Sequence, residues 1–141
     1  MYLLDANIIS YWMRGDLRLI QKMKSCSPAE LSLSTITLAE IYYGIEKAPE
    51  KKKERRAKIE QIKSQLEIYP FNVAAAVKYG VIRASLEKQG QPISERDLQI
   101  AAIALANKLC IVTHNTKEFN RMAKLSVEDW AVEWAFELIL A

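Results

Sequence analysis

MYLLDANIIS, residues 1–10, decides the fold. Three apolar residues, Tyr2 to Leu4, run without a turn into Asp5, and a helical pattern begins at once behind it. A short run that is apolar on both faces and feeds a helix is the signature of a buried parallel strand. It places an acid at that strand's carboxyl end, where a parallel sheet keeps its ligand sites.

Outward from that stretch, the same alternation recurs. LSLS (31–34) reads as a second strand, of the alternating kind, leading into the helix ITLAEIYYGIEK (36–47). A charged helix to about Leu66 and a brief strand in EIYPF (67–71) follow. Val73, Ala76, Val77, Gly80, Val81 and Ala84 recur at helical spacing up to Gly90 and Pro92, predicting an amphipathic helix. In ISERDLQIAAIALANK (93–108) the run IAAIALA is apolar on every side, which predicts a buried helix. LCIVT (109–113) is the clearest strand, HNTKEF a turn into a short helix, and LSVEDW (125–130) a last strand. Strands alternating with helices predict an α/β fold with a parallel sheet covered on both faces.

Composition bounds the rest. A chain of 141 residues, half of them hydrophobic, is one domain's worth of core, so residues 1–141 read as a single domain. Two cysteines, Cys26 and Cys110, without CxxC spacing favour neither a disulfide framework nor a zinc site and point to a reducing cytoplasm. No signal peptide is evident, and the apolar end WAVEWAFELILA (130–141) carries two glutamates and falls short of the roughly 20 residues a bilayer span needs. Seven basic residues and three acids in EKKKERRAKIEQIK (50–63) read first as a solvated helix face, which would also attract phosphate backbones.

Four acids fall at strand ends or helix starts: Asp5, Glu40, Asp97 and Glu118. Three of them fit a capping box, Thr37 with Glu40, Ser94 with Asp97 and Asn115 with Glu118, and that is their plainest reading. Against it, Asp97 heads the face formed by Ile100, Ala101, Ala104 and Leu105. Gly44, one turn after Glu40, suggests a close approach beneath that residue. Asp5 is not readily explained as a cap. Buried carboxylates gathered together require a positive partner, and a hard divalent cation with oxygen ligands fills the need. Without a histidine or cysteine cluster, Mg²⁺ or Mn²⁺ is favoured over zinc. Such a site suits phosphodiester hydrolysis, for which no serine, cysteine or histidine nucleophile is required. His114 reads as a polar loop residue beside it.

The blocks MYLLDANIISYWMRG, LSLSTITLAEIYYGIEK, QGQPISERDLQIAAIALA and IVTHNTKEFNRMAKLSVEDW resemble, in order and spacing, the signature blocks of PIN-domain ribonucleases, and specifically VapC toxins of type II toxin–antitoxin systems. The resemblance implies a three-layer α/β/α sandwich with a short, mainly parallel sheet. It implies a Mg²⁺-dependent endoribonuclease, with Mn²⁺ able to substitute, acting on tRNA or rRNA and inhibiting translation. Asp5, Glu40 and Asp97 match the acids of the metal site, with Asp5 and Asp97 as direct ligands. Asn115 stands where many members carry an aspartate, with Glu118 able to take over that role through a water. Asn7 and Thr113 match supporting polar residues. A homodimer, a cognate VapB-type antitoxin that inserts a segment into the acidic groove, and a cytoplasmic location are implied as well. Ala6 departs from the usual threonine, so a catalytically weakened module that binds antitoxin or RNA without efficient cleavage is the alternative. Residues 131–141 run past the usual end, as an extension that packs on the domain or a partner. A phosphorelay receiver is disfavoured, because YLLDAN offers one acid where receivers have a pair and CIVTHNT has no lysine directly after the strand.

Overall fold

The computed structural model describes residues 1–130. The expectation for 131–141 lies outside the described residues. Among the described residues five short strands form one sheet: β1 (Tyr2–Leu4), β2 (Leu31–Ser34), β3 (Glu67–Tyr69), β4 (Cys110–Val112) and β5 (Val127–Glu128). Their order is β3-β2-β1-β4-β5 and every pairing is parallel, so the sheet is more uniform than the "mainly parallel" expectation. Among the described residues seven α-helices connect them: α1 (Ala6–Met13), α2 (Leu17–Lys24), α3 (Thr35–Lys47), α4 (Lys52–Gln65), α5 (Val73–Lys88), α6 (Glu95–Asn107) and α7 (Thr116–Phe119).

The strand period of two divides the core. Leu4, Leu31, Leu33 and Val112 point to one face and pack with residues of α1 to α4, including Ile8, Ile9, Leu19, Ile41 and Ile59. Leu3 and Ile111 point to the other and pack with α5, α6 and α7 through Leu86, Ile100, Ile103 and Phe119. That is the expected three-layer sandwich. Helix α6 lies against the sheet with Ile100 to Ala104 fully buried, as its all-round apolar run predicted.

Three expectations need correction. β2 is buried along its whole length, and its serines are accommodated by hydrogen bonds: Ser32 Oγ donates to Tyr2 O (2.7 Å) and Ser34 Oγ to Thr37 Oγ1 (3.2 Å). The apolar stripe of α5 faces outward, with Val73, Val77 and Val81 at 81%, 63% and 65% exposure. The helix is seated instead by Ala75, Tyr79, Ile82 and Leu86, a parallel row at the same period that packs over α6. Gly44 has open space around it, so it serves no close approach beneath Glu40. The basic segment is a solvated helix: Lys52 and Arg56 of α4 each reach Glu46 at 2.5 Å.

Among the described residues no helix is long and apolar enough to cross a membrane. A groove of about 560 Å³ lies between α1, α2 and α4 near the strands' amino ends, with Leu31 and Leu66 on its wall. None of the four acids lines it.

Candidate active site

The carboxyl edge collects the polar residues. β1 sends its chain into α1 over one face while β4 sends its chain towards α7 over the other, and the gap between these adjacent strands is a topological switch point. Asp5 sits in that gap. Its backbone N donates to Val112 O (2.9 Å) as the last rung of the β1–β4 ladder, and its side chain is 1% exposed. It is also the N-cap of α1, with Oδ1 accepting from Ala6 N at 2.8 Å, so a capping role does apply here, contrary to expectation.

The other carboxylate oxygen is held from the neighbouring strand. Thr113, fully buried just after β4, donates from Oγ1 to Asp5 Oδ2 at 2.8 Å. The same hydroxyl oxygen accepts from Asn115 N at 3.0 Å and from Asn7 Nδ2 at 3.5 Å, while Asn7 Oδ1 accepts from His114 N at 3.2 Å. Asn115 Nδ2 then donates to Asp97 Oδ2 at 3.3 Å. Asn7, Asp5, Thr113, Asn115 and Asp97 thus form one continuous chain of hydrogen bonds. Ala6 leaves no gap in it, since the hydroxyl beside Asp5 comes from Thr113 rather than from position 6.

Helix α6 runs back towards this edge, and its first turn carries Asp97. Ser94 caps the helix by accepting from Asp97 N (3.2 Å), which is one half of the expected box; the Asp97 carboxylate itself turns into the cluster. The other two boxes do not form. Ser34, not Thr37, caps α3, which sets Glu40 in the second turn, beyond capping reach. Asn115 makes no side-chain cap to α7, and its amide nitrogen donates instead to Asp97.

Asp97 is 1% exposed. Burial, then the adjoining Glu118 carboxyl, push its pKa up to about 7, against the pull of the Arg96 guanidinium, with the charge on Asp5 raising it further. Glu118 Oε2 is buried with no hydrogen-bond partner among the described residues. An orphaned carboxylate oxygen beside the buried Asp97 is a place where a hard cation would remove a standing cost. Among the described residues, no group of three or more histidine, cysteine, aspartate or glutamate side chains is placed to hold a metal ion by itself.

A PIN-domain family model matches residues 2–125, nearly the whole of the described chain. The chain belongs to the PIN-domain family. Curated relatives place this PIN domain beside the VapC proteins. The tRNA(fMet)-specific endonuclease VapC of Shigella flexneri is 35% identical over 132 residues, covering 92% of this chain and 98% of its own. Ribonuclease VapC2 of Haemophilus influenzae is 38% identical over 130 residues, with 92% and 97% covered. Among solved structures, VapBC2 from Rickettsia felis bound to a promoter DNA fragment superposes with a TM-score of 0.84 at 34% identity, covering 92% of this chain and 98% of that one. DNA-bound VapBC from Salmonella typhimurium gives 0.85 at 30% identity, with the same coverage.

Two features of the PIN-domain site lie outside the sequence reading. Arg96, one residue before Asp97, bridges Glu40 and Asp97: Nη1 donates to Glu40 Oε2, and Nη2 to Asp97 Oδ1 at 3.3 Å. Glu40 therefore joins the cluster through a guanidinium rather than by direct contact. His114 Nδ1 lies 3.2 Å from Asp129 Oδ2, just beyond β5, which makes this histidine a partner of an acid at the same edge. Only the adjacency of Arg96 to Asp97 could have signalled the first; Glu40 is 56 residues away.

Proposed function

We propose that this PIN domain is the toxin of a VapBC-type toxin–antitoxin pair, an endoribonuclease that hydrolyses RNA phosphodiester bonds with a divalent cation, Mg²⁺ or Mn²⁺. The observation that carries it is the Asp5–Thr113–Asn115–Asp97 chain, buried at all but Asn115 and ending beside the unpartnered Glu118 oxygen. Asp5 and Asp97 are the direct ligands in this reading. Glu40, Asn115 and Glu118 surround them and hold waters or phosphate oxygens. Asn7 and Thr113 fix the orientation of Asp5. A cation held here supplies Lewis acidity, lowering the pKa of a bound water and screening charge that develops on the phosphate. The residues themselves fix where that charge sits: Thr113 locks the Asp5 carboxylate against rotation, and Asn115 does the same for Asp97.

The names of the relatives support RNA as substrate, and two of them, from Shigella flexneri and Salmonella typhimurium, make tRNA(fMet) the first to test. The VapBC complexes among the solved structures support a VapB-type antitoxin as partner. The exposed valine stripe of α5 supports a homodimer, because an apolar helix face of that length with Ala76, Gly80 and Ala84 between the valines lets a second helix approach closely. Brief expression followed by sequencing of RNA ends tests the reading. New ends confined to one or a few RNAs, absent with Asp5→Asn, are expected; identical ends with Asp5→Asn refute it.

A further inference from the structure

Arg96 stands where a cation is wanted. Its guanidinium spans α3 and α6, bonding Glu40 Oε2 and Asp97 Oδ1, and it relieves the mutual repulsion of the acids. Arginine is suited to this because its charge is permanent and its planar fork matches two carboxylate oxygens at once. A divalent ion bound by Asp97 would compete for the same oxygens and repel the guanidinium. The side chain is 37% exposed, so it can swing out of the cluster without disturbing the core. The closest new anion in an enzyme–RNA complex is the phosphate backbone, which an arginine fork also fits.

We propose that Arg96 exchanges partners during the enzyme's cycle: it is the counter-ion of Glu40 and Asp97 in the metal-free protein and a phosphate contact for RNA once those acids hold a metal. This rests on the metal-dependent nuclease reading. In it, Arg96 is a positioning residue that keeps the acid cluster closed before loading and adds grip on substrate afterwards. The exchange also couples the two ligands, since metal that frees the guanidinium prepares the site for RNA, and RNA that captures it leaves Asp97 free for metal.

The full chain, stripped with chelator, is compared with Arg96→Met and Arg96→Lys. Titration calorimetry with Mn²⁺ should find Arg96→Met binding about fivefold more tightly than wild type, the size expected of a competing half-exposed ion pair. Its metal-free melting temperature should fall below wild type. With Mn²⁺ present, Arg96→Met should raise KM for RNA more than it lowers kcat, and the dependence of log(kcat/KM) on log[salt] should flatten by about 0.7–0.9, the contribution of one phosphate contact. Arg96→Lys keeps the charge without the fork, so it should retain the wild-type salt slope while losing metal-free stability. Equal or weaker Mn²⁺ binding by Arg96→Met, or an unchanged salt slope, overturns the exchange. A wild-type chain that takes up no Mn²⁺ overturns the metal-dependent reading itself, whereas unequal roles for Arg96 leave that reading standing.

Discussion

Thr113→Val is the substitution that separates an oriented Asp5 from a merely present one. Valine has nearly the shape of threonine, so a fully buried site receives no cavity, and what is lost is the hydroxyl alone. That hydroxyl donates to Asp5 Oδ2 at 2.8 Å and accepts from Asn115 N at 3.0 Å. A hydrogen bond to a charged group contributes about 1.5–3 kcal/mol, and Asn115, half-buried, can recover part of its loss from water. We therefore expect a net loss of about 2–3 kcal/mol in stability. Removal of a group that orients a metal ligand typically costs about 10–100-fold in metal affinity or activity. Urea denaturation of the metal-free chain measures the first and Mn²⁺ calorimetry the second. Thr113→Ser, which keeps the hydroxyl, should recover most of both. A Thr113→Val protein as stable as wild type within about 0.5 kcal/mol, and binding Mn²⁺ equally well, would refute the claim that this hydroxyl organises the site.

The remaining expectations concern charge and surface. Asp97, with its folded pKa raised to about 7 from an ordinary 3.8, binds a proton in the native state that the unfolded chain does not hold between those values. Its contribution to metal-free stability therefore falls as pH rises towards 7. Loading a cation must expel that proton, so Mn²⁺ affinity should weaken about tenfold per pH unit below 7 and level off above it; a flat calorimetric profile from pH 5.5 to 8.5 would contradict this. Val77→Glu, at an exposed position of α5, should leave the melting temperature unchanged and convert a dimer to a monomer by light scattering, and an unaltered dimer mass would remove α5 from the interface. Ala6→Thr should change cleavage by less than about tenfold, because Thr113 already supplies the hydroxyl at Asp5; a larger gain would return the departure at position 6 to prominence.

What could be read from residues alone followed how local the cause was. β1, β4 and α6 were legible because burial on every side leaves an unbroken apolar run, and the position of Asp5 followed from β1 alone. The outward face of α5 was not, since two parallel rows on that helix share one period and only the packing over α6 chooses between them. Capping boxes at Thr37 and Asn115 fitted a local pattern that does not form: α3 begins earlier, on the cap Ser34, and the Asn115 amide turns to Asp97 across the fold. The order of the chain brought Asp5, Asp97 and Thr113 to one edge, but which hydroxyl meets Asp5 depends on the β1–β4 register. Arg96 is the extreme case: its partner on α3 is set by how two helices cross, which no short motif records.

The most direct measurement is cleavage of a tRNA(fMet) transcript and of total RNA by the purified chain, freed of any antitoxin, with Mg²⁺, with EDTA, and with Asp5→Asn or Asp97→Asn in place of wild type. Discrete cleavage that requires Mg²⁺ and disappears in both variants is the predicted result. Cleavage that persists in EDTA and in both variants would contradict the account.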